Sequence, residues 1–137
     1  MNVLILGATG FTGTALSCYL SGMKDVNTTA IIHNRQPRVK CDVVYVNTSL
    51  QNIDYNFLEK GNFDYIFHLA RIPGKGFGDL GRRYAGLQGA IANRKLLTSL
   101  KKLKRTPKLI YLSGSLMYGH RPGYSFIESD ILQPAGY

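Results

Sequence analysis

Five short apolar runs punctuate the chain, at residues 3–6, 30–32, 43–46, 65–69 and 109–112. Each is continuous rather than alternating, the pattern of strands covered on both faces in a parallel sheet. Between them the spacing turns helical. Residues 12–23 carry apolar side chains at Ala15, Leu16, Tyr19, Leu20 and Met23. Residues 54–60 suit a short helix, with Asp54 as its N-cap and Gly61 just past its end. Leu80, Tyr84, Leu87 and Ile91 recur at steps of four and three, and Leu96, Leu100 and Leu103 continue on a shifted phase. Strands alternating with helices predict an α/β fold, a doubly wound parallel sheet of order 3-2-1-4-5 in three α/β/α layers with right-handed crossovers. Past Ser113, residues Gly114, Gly119, Pro122, Gly123, Pro134 and Gly136 interrupt regular structure, so residues 114–137 read mostly as loop. A long loop leaving the carboxyl end of a parallel strand is a usual place for an α/β ligand site.

Length and composition add bounds. A chain of 137 residues is room for one domain, and 45% hydrophobic against 18% charged residues excludes intrinsic disorder. No apolar run approaches the ~18 residues of a membrane span, and Met1-Asn2 opens no basic leader, so a cytoplasmic protein without membrane partners is expected. Cys18 and Cys41 are too few and too far apart in sequence for a metal site or a disulfide framework. Reduced thiols and no metal are the expectation.

Directly after the first apolar run comes Gly7-Ala8-Thr9-Gly10-Phe11-Thr12-Gly13, opening a helix. Glycine there permits positive φ and lets a pyrophosphate approach the backbone, and the helix amino end offers free N–H groups. An ordinary glycine-rich turn is the plainer alternative. The strand–motif–helix context favours a Rossmann-like dinucleotide site.

The spacing G-x-x-G-x-x-G resembles the extended short-chain dehydrogenase/reductase family, which includes nucleotide-sugar epimerases and dehydratases. Three further stretches resemble it in the expected order. They are Asp64-Tyr65-Ile66-Phe67-His68-Leu69-Ala70, the segment from Leu109 through Ser113-Gly114-Ser115 to Tyr118-Gly119, and the segment from Glu128 to Pro134-Ala135-Gly136-Tyr137. The resemblance implies that Gly7, Gly10 and Gly13 shape a pyrophosphate loop around Thr9, with backbone amides of Phe11 and Thr12 as donors. It places Leu69, Ala70 and Arg71 beside the nicotinamide-side ribose, and Ser49 and Leu50 near the adenine. It makes Tyr137 the catalytic acid/base, and it makes His68 a packing residue. The family's catalytic Ser/Thr position, counted back from Tyr118-Gly119, falls on Gly114, so Ser113 and Ser115 are the candidates for that hydroxyl. Gly89 stands where members commonly carry Asn.

At the end of the second run an acidic residue would hydrogen-bond the ribose 2′-OH of NAD, whereas basic residues accommodate a 2′-phosphate. The chain reads His33-Asn34-Arg35, with Arg38 and Lys40 following and no acid until Asp42, which favours NADP over NAD. The net charge is +9, and no acidic residue occurs between Asp79 and Glu128. Attraction for an anionic small-molecule substrate explains this better than nucleic acid, since no nucleic-acid module is present.

Two functions remain. One is an epimerase, dehydratase or reductase acting on a hydroxyl or carbonyl carbon, with a nucleotide sugar as one candidate substrate and a homodimer as one candidate assembly. The other is a catalytically silent NADP-binding sensor or regulatory protein, favoured by Gly114. The resemblance also calls for a lysine four residues after Tyr137, at a position 141 outside this sequence. Residues 1–137 therefore read as an NAD(P)-binding domain truncated before the rest of the catalytic domain and the substrate lobe.

Overall fold

The first apolar run becomes β1 (Asn2–Leu6), where Val3, Leu4, Ile5 and Leu6 are all fully buried. A computed structural model describes residues 1–72 and 78–134 of the chain, the side chains of Asp79, Arg82, Ser115 and Leu116 excepted. In it β1 lies between β2 (Asn27–Ile32) and β4 (Tyr65–His68), with β3 (Val44–Asn47) outside β2 and β5 (Lys108–Tyr111) outside β4. All four pairings are parallel, and the order is β3-β2-β1-β4-β5. The expected doubly wound sheet is therefore present.

Alternate residues of β1 serve opposite faces, as strand geometry requires. Val3 and Ile5 join Ala8, Ala30 and Ile32 under Leu20 and Leu16 of α1 (Phe11–Ser21). Leu4 and Leu6 join Ile31 and Ile66 on the other face. There they meet Leu58 of α2 (Tyr55–Gly61) and Leu96 and Leu100 of α3 (Asp79–Lys102). One helix above and two below make the three layers. Short 3-10 turns at Leu50–Asn52 and Ser115–Tyr118 complete the described elements.

Three local expectations need correction. Burial on both faces holds for β1 but not for β3 and β5, the edge strands of the described sheet, where Val44 and Tyr111 are exposed. Asp54 does cap α2, its Oδ1 accepting from the Phe57 N–H at 2.9 Å, but Gly61 is the last helical residue. The left-handed cap is Asn62, at φ 41°. The third concerns α3, whose first apolar stripe faces outward: Leu80, Tyr84, Leu87 and Ile91 are exposed, while Ala92, Leu96 and Leu100 are buried. Periodicity reports that a helix has an apolar side, not which part of that side the sheet is long enough to cover.

Cysteine chemistry is corrected too. Cys18 of α1 and Cys41 of the β2–β3 connection are joined by a disulfide, their Cα atoms 4.9 Å apart. A separation of 23 residues in sequence says nothing about distance once the connection folds back over α1.

Candidate functional site

Parallel strands share a carboxyl edge, and here Leu6 pairs with Ile31 and His68, Ile32 with Asn47, and His68 with Tyr111. Five of the segments singled out from the sequence leave the sheet at that edge. The Gly7–Gly13 turn follows β1, and His33-Asn34-Arg35 follows β2. Ser49-Leu50 follows β3, Leu69-Ala70-Arg71 follows β4, and Ser113 follows β5.

The three glycines of the turn face different surroundings. Gly7 has φ +90°, and a Cβ there would lie 2.7 Å from the Ala70 nitrogen and 2.8 Å from the Leu69 carbonyl carbon. Only glycine lets β1 turn this tightly against the end of β4. At Gly13 a Cβ would run into the Gly7 carbonyl oxygen and stand 2.8 Å from the Ala8 Cα, so this glycine lets α1 seat on the turn. Gly10 differs. Among the described residues its Cβ would approach only the Gly7 oxygen, at 3.4 Å, and otherwise points into open space. The turn is held by Gly10 N–H donating to Gly7 O at 3.1 Å and by Thr14 Oγ1 donating to Ala8 O at 3.1 Å.

Gly10 is the N-cap of α1, makes no side-chain cap, and is followed by no acidic residue in the first turn. The leading N–H groups of the helix are thus free for an anion, and the helix dipole favours one. Phe11 is 96% exposed, Thr12 is exposed and Thr9 is half-buried beside them. An open cradle bounded by Gly10 and an uncapped helix end fits a dinucleotide pyrophosphate.

His33, Asn34 and Arg35 are exposed, as are Arg38 and Lys40. With Asp42 the only acid between residues 33 and 43, that corner is cationic. Ser49 caps the 3-10 turn, and Leu50 packs against the core. Leu69 and Ala70 are also tied to the core, Leu69 N–H donating to Leu6 O at 2.9 Å, whereas Arg71 is exposed. Ser113 is exposed, and among the described residues a Cβ on Gly114 would meet nothing within 4 Å. Tyr137 and the Ser115 side chain lie outside the described residues.

His68 ends β4, buried, with Nε2 2.8 Å from Asn93 Oδ1 of α3. That contact makes Nε2 the protonated nitrogen and leaves Nδ1 buried without a partner among the described residues. Burial lowers the imidazole pKa, opposed by the Asn93 bond. Asn93 itself is not signalled by the sequence, because its partner is on another element. Further along, Gly119 (φ +83°) folds the chain back against Gln133, Tyr118 stacks on Phe126 at 5.5 Å, and Arg121 lies over the Tyr124 ring at 4.9 Å.

The NAD dependent epimerase/dehydratase family matches residues 3–135. UDP-glucuronic acid 4-epimerase from Bacillus cereus, solved with NAD, is 25% identical with a TM-score of 0.76, over 99% of this chain and 47% of that one. UDP-glucose 4-epimerase from Bifidobacterium longum, solved with NAD+ and UDP, is 19% identical with a TM-score of 0.76, over 97% and 43%. The chain thus spans under half the length of these structures. No curated protein matches it. With a matching family over nearly its whole length and a parallel sheet of the same fold as these epimerases, the chain belongs to the NAD dependent epimerase/dehydratase family.

Proposed function

We propose that the chain is the nucleotide-binding part of an epimerase- or dehydratase-type oxidoreductase that holds NADP in preference to NAD and acts on a small anionic substrate. The observation that carries this reading is the Gly10 opening: two glycines close-packed against backbone, and between them, at an uncapped helix end, one whose Cβ would contact only the Gly7 oxygen among the described residues, at 3.4 Å. Backbone amides of Phe11 and Thr12 would receive the pyrophosphate. Arg35, exposed just past the end of β2, would grip a 2′-phosphate with two donors. Leu69, Ala70 and Arg71 would border the ribose nearer the reacting carbon. Bound there, the nicotinamide supplies hydride exchange. The UDP-glucuronic acid held by the Bacillus cereus epimerase, and the UDP held by the Bifidobacterium longum one, support a nucleotide sugar as the substrate. Tyr137 would move the proton at the substrate oxygen, with Ser113 or Ser115 donating a hydrogen bond to the same atom.

Titrating the folded chain with NADPH and NADH tests the binding. Gly10→Val should abolish binding of both while leaving the circular dichroism unchanged, because only a ligand needs that space. Arg35→Ala should weaken NADPH about tenfold or more and leave NADH within twofold. Equal losses for both cofactors would remove the 2′-phosphate role.

A second reading, a silent NADP-binding sensor, is favoured by one observation: the position where the family's catalytic hydroxyl is expected is Gly114, which carries no side chain. In a chain extended past Tyr137, binding without turnover of any UDP-sugar would support it, and NADP-dependent turnover would eliminate it.

A further inference from the structure

The connection between β2 and β3 is unusual for a parallel crossover. Residues 33–43 contain no helix, and within 33–42 only Pro37 and Cys41 are not exposed. A crossover normally gains its position from a helix whose apolar side packs on the sheet. Here Val43 packs on the core at the end of the connection, and Cys41 ties it to the layer above. Its sulfur is bonded to Cys18 of α1, and its N–H donates to the Tyr45 hydroxyl at 3.1 Å. The Cα separation of 4.9 Å lies within the range that disulfides occupy without backbone movement. Both cysteines are partly exposed, so the pair is accessible to thiol exchange from solution rather than sealed in the core.

We infer that Cys18 and Cys41 form a reversible thiol–disulfide site whose state sets the order of the crossover bearing Arg35. The oxidant is a small anionic disulfide of the glutathione class, for which Arg35, Arg38 and Lys40, against the single Asp42, provide an attractive field. The Cys41 thiolate attacks one sulfur of the oxidant, forming a mixed disulfide and releasing one thiol. The Cys18 thiolate then attacks the Cys41 sulfur and releases the second. The two protein thiols lose two electrons, the oxidant gains them, and the two cysteine protons end on the two released thiols. Oxidised, the connection is tied to the same helix whose amino end borders the Gly10 opening. Reduced, it keeps the Tyr45 contact and the packing of Val43 on the core.

The experiment equilibrates the folded chain in glutathione buffers of graded ratio. Free thiols are then counted by alkylation and mass spectrometry, and amide exchange is followed in each state. The two thiols should disappear together, at a ratio where the urea-unfolded chain keeps both. Amides of residues 33–43 should exchange about tenfold more slowly in the oxidised form, with those of β1 unchanged. Cys18→Ser should abolish the difference in exchange. Failure of the folded chain to form the bridge, or a bridge that leaves exchange of residues 33–43 unchanged, overturns the inference.

The consequence for cofactor binding rests on the nucleotide reading above. NADPH should bind several-fold more tightly to the oxidised form, and Arg35→Ala should erase that difference. Equal NADPH affinity in the two forms overturns this consequence. No nucleotide binding by either form overturns the nucleotide reading, while thiol counts and exchange still decide the redox site.

Discussion

Any side chain at Gly13 would collide with the Gly7 carbonyl oxygen, whereas one at Gly10 would only touch it, at 3.4 Å. The two glycines should therefore separate stability from binding. Gly13→Ala is expected to cost about 3 kcal/mol in urea denaturation, since backbone on both sides cannot yield cheaply. Gly10→Ala should stay within about 1 kcal/mol of the parent, and its effect should appear in nucleotide affinity. His68 provides a pH test. Its folded-state pKa is lowered, chiefly by burial, so the unfolded chain takes up the proton first as pH falls. The stability it contributes is complete above the unfolded value of ~6.5 and is lost as pH drops toward the folded one, with a slope of up to about 1.4 kcal/mol per pH unit. Denaturation curves between pH 7.5 and 5 should show this slope, and His68→Gln should flatten it. Asp64 acts in a separate, more acidic window. Its carboxylate accepts the Asn2 N–H at 2.6 Å and pairs with Arg105, which lower its pKa, so its contribution is present at neutral pH and lost on acidification below ~4.

At the scale of elements, α3 offers an internal comparison. Leu96 is 1% exposed against the core and Leu87 is 59% exposed on the same helix. Leu96→Ala should cost about 2–5 kcal/mol and Leu87→Ala less than about 0.5, both read from chemical denaturation. The pair also shows how far sequence carries. Both leucines sit on apolar stripes of helical period, and nothing in the period distinguishes them, because burial depends on where the sheet lies beneath. The run at residues 3–6 is legible by contrast: it becomes the central strand, and all four of its apolar residues are buried. The glycine turn is legible because its constraints arise from backbone geometry that only glycine meets. The link between Cys18 and Cys41 is not, because an irregular connection has no periodicity from which its path could be read. The partnership of His68 with Asn93 escapes for a related reason: it joins elements whose relative rotation is set by packing.

For the whole molecule, the carboxyl edge gathers the turn after β1, the cationic corner after β2 and the end of β4, while α3 carries an outward apolar stripe. These two surfaces should respond independently to mutation. Leu87→Glu combined with Ile91→Glu should reduce concentration-dependent self-association in sedimentation velocity without altering NADPH affinity. A shared loss of both would mean that assembly shapes the nucleotide site.

Gly7 turns against the backbone of Leu69 and Ala70, which arrive from the far end of β4. The cradle at the start of the chain is thus finished by residues made much later, and its geometry cannot mature until β4 has zipped alongside β1. Loop-closure entropy makes such a pairing slow compared with forming α1 or α2. During refolding, capture of a fluorescent nucleotide should lag behind the rise in helix signal and keep pace with protection of the β1 amides. A ligand able to report the instant a sheet closes would make this turn a clock for its own folding.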